Sequence, residues 1–559
     1  MNIKRLTGVI MLSLLAMTMS HASANEISST SAQAIANEFI KRHSSNAPGS
    51  LRSPAAADIK LAHAEPSSKV KGTNVYYAFN INGGGFIIVA GDDRASQVLG
   101  YSDKGRIDFN HLPDPLKDQL DSYKYDIEYV QSHHVDASHL AKRPVLKDGE
   151  AQVIVEPMTT STWGQENPYN LQLPVYDNKA SRAGCIGISM SQLVYFWKYP
   201  ETCGPYASYY NSKASQDVPE LPATTFDFTK MRNSYCHWDW DQSVPVQDIF
   251  DEDLVQEAAK LCRYMGQSVQ MQYGNSVSVA TYPNSFNALL SFGYNPKARY
   301  LKKSLTSYSQ EAWENLIRSD LDAGRPVIYN AYSGTSVGHS YIIDGYNNEG
   351  FFHINMGWYG TNDGWYQMTA VQLVNRFGVY YDYSNNPIMF IGMEPPTFCT
   401  LKATDVNADN GLIVLGSNLE ALAHKVYLFT SHRELDLVFT LTDASGQTVA
   451  TSDAQRVIRH RFEQGCDISH QLTLPTQLAP GTYDLRFGYS LPGQADSLVN
   501  VEDVPCKLVV VGKLAKLNGG FDIEDVTKVI QYVLNQGGND LNVTLDVTDV
   551  TDLIDYILN

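Results

Sequence analysis

Basic residues are scarce in this chain: 42 Lys and Arg stand against 60 Asp and Glu, a formal net charge of −18 over 559 residues. Neutralising phosphates needs clustered Lys and Arg, so the balance argues against a nucleic-acid partner. Long apolar runs are also missing. After the N-terminal segment no stretch approaches the roughly 18 continuous apolar residues of a membrane span. Cysteine is sparse, with seven residues and no CxxC pair or Cys/His cluster at zinc-ligand spacing, so neither a metal nor another cofactor is expected. Seven is odd, and spacing alone leaves two arrangements open: three disulfides plus one reactive thiol, or seven free thiols.

What is present reads as globular. Hydrophobic residues make up 43% and charged residues 18%, enough for large cores, and at roughly 100–200 residues per domain three or four folded units are expected. Lys4 and Arg5 precede an apolar run from Leu6 to Met19, and Ala22-Ser23-Ala24 supplies small residues for cleavage. Residues 1–24 therefore read as a secretory signal peptide, and the mature protein as secreted, extracellular or held at the cell surface.

Residues 25–150 read as a small α+β domain. Ser31 to Arg42 suits a helix, with Ile35 and Phe39 one turn apart, and Val75–Ile81 and Phe86–Ala90 suit strands joined by Asn82-Gly83-Gly84-Gly85. The polar stretch Lys142–Glu150 suits an exposed linker. Residues 151–395, rich in Tyr, Trp, Asn and Gly, hold the chemical motifs. In 396–512, Leu437, Phe439 and Leu441 alternate, as do Tyr483, Leu485, Phe487 and Tyr489, the pattern of a β-sandwich of immunoglobulin type. In 513–559, Phe521–Val526 recurs loosely as Leu545–Val550, 24 residues later, each copy leading into an amphipathic helix, Val526–Leu534 and Val550–Leu558.

That repeat resembles a dockerin, a module that plugs enzymes into larger assemblies. The resemblance implies a cohesin-like or cell-surface partner and EF-hand-like loops. The loop positions here hold Leu514, Lys516 and Asn518 in one copy and Gly538, Asp540 and Asn542 in the other. Leu514 and Gly538 carry no side-chain oxygen, which argues against calcium.

The chemistry starts at Arg182-Ala183-Gly184-Cys185. Apolar residues at 186, 190, 193, 194 and 197 follow helical spacing, and Tyr199-Pro200 ends the helix. Cys185 then sits in the first turn, where free N–H groups and the helix dipole favour a thiolate, and Gly184 leaves room for substrate backbone. Further on, Gly338-His339-Ser340-Tyr341 opens one strand and Phe352-His353-Ile354-Asn355-Met356-Gly357-Trp358 forms a second. With Asn347–Gly350 as the turn and Tyr346 opposite Phe351, antiparallel register sets His339 opposite Trp358 and Tyr341 opposite Met356. An indole there would shield and fix the imidazole. His353 lacks the flanking glycine and reads as structural. Gln165, 20 residues before Cys185, carries an amide that could serve an oxyanion beside the Cys185 N–H. The order Gln, Cys, His, Asn/Trp is that of papain-like peptidases.

Five stretches make the resemblance specific: GQENPYN, AGC with the helix ending KYP, VQMQYG, VGHSYIIDGY and HINMGWYG. Residues 157–395 resemble the catalytic domain of the streptopain-type (C10) family of cysteine peptidases, and 75–130 resemble that family's propeptide. The resemblance implies an α+β papain-like catalytic domain and a propeptide that inhibits the enzyme until its release. It also implies endopeptidase action on protein and peptide substrates. It assigns Cys185 as nucleophile, His339 as base and Gln165 to the oxyanion hole. Met356 stands where the family has a tryptophan. Trp358 becomes the candidate for orienting His339, with Asn355 the alternative by analogy with papain, although the register points Asn355 to the other face. A thiol acyltransferase or amidase, or a binding protein whose active site has decayed, are the competing readings.

Overall fold

The computed structural model describes residues 25–43, 59–133, 135, 140, 151–331, 338–371, 386–408, 411–501, 504–517, 520–534 and 545–559. Residues 1–24, expected to be a signal peptide, the expected linker Lys142–Glu150 and the loop positions Asn518, Gly538, Asp540 and Asn542 lie outside the described residues. Two compact units divide the chain: 1–196 with 200–226 and 230–394, and 395–559 with 197–199 and 227–229.

The first unit is α+β. Helix α1 (Ser29–His43) precedes strands β1 (Ile59–Pro66), β2 (Asn74–Ile81), β3 (Phe86–Ala90) and β4 (Val98–Ser102), followed by helix α2 (Asp114–His133). The β2–β3 hairpin forms where expected, with Tyr76 opposite Ala90 and Asn80 opposite Phe86. In α2, Leu116, Leu120, Tyr123, Ile127 and Val130 are buried, a spacing of fours and threes that lines up one face of a helix.

Then come β5 (Val153–Val155), helix α3 (Cys185–Trp197), α4 (Glu252–Ser268), α5 (Tyr282–Ser291), β6 (Arg299–Lys302) and α6 (Gln310–Asp322). Strands β7 (Val327–Ala331), β8 (His339–Asn347), β9 (Phe352–Asn355), β10 (Gly364–Tyr366) and β11 (Ile388–Ile391) follow. One sheet runs β1-β2-β3-β4-β10-β9-β8-β7-β11-β6, with β5 also on β8. The junction is β4 against β10, Tyr101 opposite Trp365 and Gly100 opposite Tyr366. Residues before and after 150 thus share one sheet. They also share one core, in which Leu116, Leu120 and Tyr123 of α2 join Trp313, Tyr341, Ile343 and Met356.

The β8–β9 register differs from the expected one near the turn. Tyr346 faces Phe352, not Phe351, and Gly345 faces His353. A bulge at Asp344 then shifts the ladder by one, so that Ile343 faces Ile354 and Ile342 faces Asn355. The cause is the Asp344 carboxylate, fully buried. Its oxygens accept from the Thr159 N–H at 2.8 Å, the Thr159 hydroxyl at 2.5 Å and the His353 ring at 2.6 Å. An unpaired charge there would be costly, and the extra residue in the strand turns it to its partners. His353 is structural, as expected.

In the second unit a four-stranded and an eight-stranded sheet enclose one core that includes Leu419, Ala421 and Leu428 of the first sheet and Leu437, Phe439 and Leu485 of the second. The two alternating segments pair directly, Leu437 with Tyr489, Phe439 with Phe487 and Leu441 with Leu485. The boundary expected after residue 512 is crossed by pairing. Leu514–Leu517 is a strand against Cys506–Val511, not part of a cation-binding loop. Leu514 and Leu517 point into apolar cores, which decides between strand and loop. Helices α7 (Ile523–Leu534) and α8 (Val547–Leu558) complete the unit. Ile523, Ile530 and Leu534 are exposed, and so are their counterparts 24 residues on, Val547, Ile554 and Leu558.

Candidate active site

Gly184 has φ +76°, and a Cβ there would meet the Ser278 carbonyl at 3.0 Å. Glycine is needed for the turn into α3 rather than only to make room for a ligand. The turn places Cys185 at the first position of α3 with three backbone N–H groups around its thiol, those of Ser340, Ile186 and Cys185 itself. Burial raises the thiol pKa above its ordinary value; the three N–H groups act in the opposite direction.

Ser340 is the residue after His339, and its hydroxyl lies 2.8 Å from that of Ser189, one turn along α3 from Cys185. The start of β8 is thereby held against the start of the cysteine helix. No hydrogen bond joins the His339 imidazole to Cys185 among the described residues. Its Nε2 lies 3.7 Å from Oδ2 of Asp118 on α2, and its Nδ1 is buried with no hydrogen-bond partner among the described residues. Burial lowers the imidazole pKa, while Asp118 and then Asp114 raise it; burial prevails.

Gln165 is buried, and its carbonyl accepts the Ala183 N–H at 2.9 Å, two residues before Cys185. Arg182 pairs with Glu166, and its guanidinium lies 5.9 Å from the Trp358 ring. The Glu166 N–H donates to the Tyr359 hydroxyl at 2.8 Å. Residues 165–166, 182–185 and 358–359 therefore form one locality. Gly357, at φ +65°, lets the last of these lie on α3, since a Cβ there would come within 3.2 Å of Ile188.

Asn355 is placed differently. Its amide donates to the Ser161 carbonyl at 2.7 Å, to the Thr159 hydroxyl at 3.2 Å and to Gln192 Oε1 at 3.2 Å, while its oxygen accepts from Gln192 and Gly357. It ties α3 to residues 159–161 and makes no hydrogen bond to His339 among the described residues. Met356 is buried in the main core with Tyr341. Sequence reasoning missed Asp118 and Ser340. GHS could have pointed to Ser340 by adjacency, whereas no signal links Asp118 to a residue 221 positions later.

Residues 163–366 match the model of the peptidase C10 family, and residues 24–127 match that of the Spi protease inhibitor family. This is a C10 cysteine-peptidase domain preceded by an inhibitor domain. Streptopain of Streptococcus pyogenes is 28% identical over 331 residues, 56% of this chain and 79% of that protein. A thiol protease/hemagglutinin of Porphyromonas gingivalis is 28% identical over 291 residues, 49% of this chain and 31% of that protein. Among solved structures, prointerpain A of Prevotella intermedia aligns with 60% of this chain and 99% of its own, at 23% identity and a TM-score of 0.47. The chain is a cysteine peptidase of zymogen form. Its inhibitor domain carries α2, whose hydrogen bonds with the peptidase domain include the following. Gln119 donates to the Gln367 carbonyl at 3.1 Å, the Tyr123 hydroxyl to the same carbonyl at 2.5 Å, and the Ala370 N–H to Asp126 at 3.0 Å.

Proposed function

We propose that Cys185 is the nucleophile and His339 the base of a secreted endopeptidase, and that the described form is its latent state. With α2 removed, the imidazole is freed from Asp118, regains water and takes the Cys185 proton. The resulting thiolate attacks the scissile carbonyl, the imidazolium protonates the departing amine, and water then hydrolyses the acyl-enzyme. The Gln165 amide and the Cys185 N–H would donate to the oxyanion. Trp358 would position the imidazole, with Asn355 acting through the α3 network rather than on the ring. The observation that carries this reading is the 2.8 Å contact between the Ser340 and Ser189 hydroxyls, which holds the start of the histidine strand beside the cysteine helix.

The proposed division is an inhibitory propeptide over 25–150, the peptidase over 151–395, a sandwich from 396 that runs on through the Leu514–Leu517 strand, and a dockerin-like attachment module in the helices that follow it. Export is supported by the basic and apolar pattern of residues 4–24.

Cys185→Ala tests the centre: it should persist as full-length zymogen and cleave no casein. A peptide epoxide should label wild type at Cys185 and stop proteolysis. Labelling without proteolysis would select an acyltransferase, and no labelling a decayed binding protein. His339→Ala should lose several orders of magnitude in kcat/KM and Trp358→Ala less. Equal small losses would reject His339.

A further inference from the structure

A cavity of about 240 Å³ opens beside Cys185. Its walls include Val279, Ala280, Tyr282, Tyr300 and Ile388, and no carboxylate borders it among the described residues. Lys302 also lines it. In β6, Tyr300 and Lys302 are two apart and so point to one face of the strand. Lys302 faces Ile388 across the ladder and Tyr300 faces Phe390, which puts the Lys302, Tyr300 and Ile388 side chains together on the cavity side. Lys302 is half-buried, and no hydrogen bond or ion pair engages its ammonium among the described residues. An unneutralised cation in a partly dry, apolar-walled cavity is unfavourable until an anion enters.

We propose that this cavity is a specificity pocket for an acidic substrate side chain, with Lys302 as the selecting charge. The reading rests on Cys185 as nucleophile, because that places the pocket next to the scissile bond. The apolar walls would receive the methylenes of a glutamate, and its carboxylate would meet the ammonium in a charge-assisted hydrogen bond. A lysine or arginine side chain in the same place would be rejected by like charge.

The test uses the full chain, matured, with quenched-fluorescence peptides identical except for Glu, Gln, Leu or Lys at each of the three positions before the cleaved bond. Glu and Gln share a shape, so their ratio isolates charge. At one position Glu should exceed Gln by about 10- to 100-fold in kcat/KM. Lys302→Met should bring that ratio to about one, and Lys302→Glu should turn the preference toward Lys. If Lys302→Met does not mature, Lys302→Gln serves the same comparison. A wild-type ratio near one at all three positions, or a ratio that survives loss of Lys302, overturns the proposal with the peptidase reading intact. Cleavage of none of the peptides, by an enzyme that also leaves casein whole, removes the peptidase reading and the pocket with it.

Discussion

Asp118 Oδ2 and His339 Nε2 lie 3.7 Å apart, a carboxylate of the inhibitor domain facing the histidine of the peptidase domain. Asp118→Asn keeps the shape and removes the charge. We expect this zymogen to process itself several-fold faster than wild type, read as the half-life of the full-length band, with the matured enzyme unchanged because Asp118 is gone from it. A wild-type half-life would make the contact incidental. Leu120→Ala, which removes packing from the same helix, should cost about 2–5 kcal/mol and shorten the half-life by a route independent of charge.

Acid should weaken the inhibitor's hold. In the bound form His339 titrates below its ordinary value, chiefly through burial. In the free enzyme it regains water and titrates higher. Binding the inhibitor domain therefore releases a proton between the two values, so the complex is favoured above the free enzyme's value and loses affinity as pH falls below it. Dissociation constants for the inhibitor domain, measured by direct binding between pH 7.5 and 5, should rise toward acid and flatten in His339→Gln. No change across that range would remove His339 from the linkage.

A second titration sits in the peptidase core. Burial pushes Asp363 up to about 7, and its carboxylate accepts the Met356 N–H at 2.8 Å. Its folded pKa is above its unfolded one, so its contribution to stability is complete below pH ~4 and is lost as pH rises through 7, at about 1.4 kcal/mol per pH unit. Asp363→Asn keeps the acceptor and removes the ionisation. Urea midpoints of the Cys185→Ala zymogen should fall from pH 5 to 7 with Asp363 and fall less with Asn. Parallel curves would contradict this.

In the C-terminal repeats, each aspartate pair is met by a lysine ammonium. Lys516 Nζ lies 3.3 Å from Asp522 and 2.7 Å from Asp525, and Lys513 Nζ lies 3.4 Å from both Asp546 and Asp549. The two aspartate pairs are 24 residues apart. Millimolar calcium or a chelator should leave the melting temperature of the full chain within about 1 °C, whereas saturating a cation site at 100 times its Kd would add about 2.7 kcal/mol. Lys516→Ala with Lys513→Ala should lower the melting temperature. A clear rise with calcium in the wild type would overturn this.

Much of the fold was legible because local pattern and tertiary packing agree. The β2–β3 hairpin, the helix beginning at Cys185 and the paired alternations of the sandwich each rest on short-range signals. The register at Tyr346 was not, because it depends on Asp344 finding Thr159, a residue 185 positions away. Leu514–Leu517 misled for a related reason: its repeat-like position suggested a loop, but its leucines had an apolar core to fill. At the site, chain order was enough to nominate Cys185, His339 and Gln165. The contact of the imidazole with Asp118 was hidden, since that carboxylate lies on a helix of another domain.

The strand pairing of β4 with β10 also bears on what maturation uncovers. When the inhibitor domain departs, the backbone groups of Gly364–Tyr366 that faced Gly100 and Tyr101 become an open border of the sheet, able to recruit any extended chain. Its brevity, three residues, is the safeguard, because so short a border offers few hydrogen bonds to a stray neighbour. An activated enzyme can thus circulate among partly unfolded proteins without being drawn into edge-to-edge clumps.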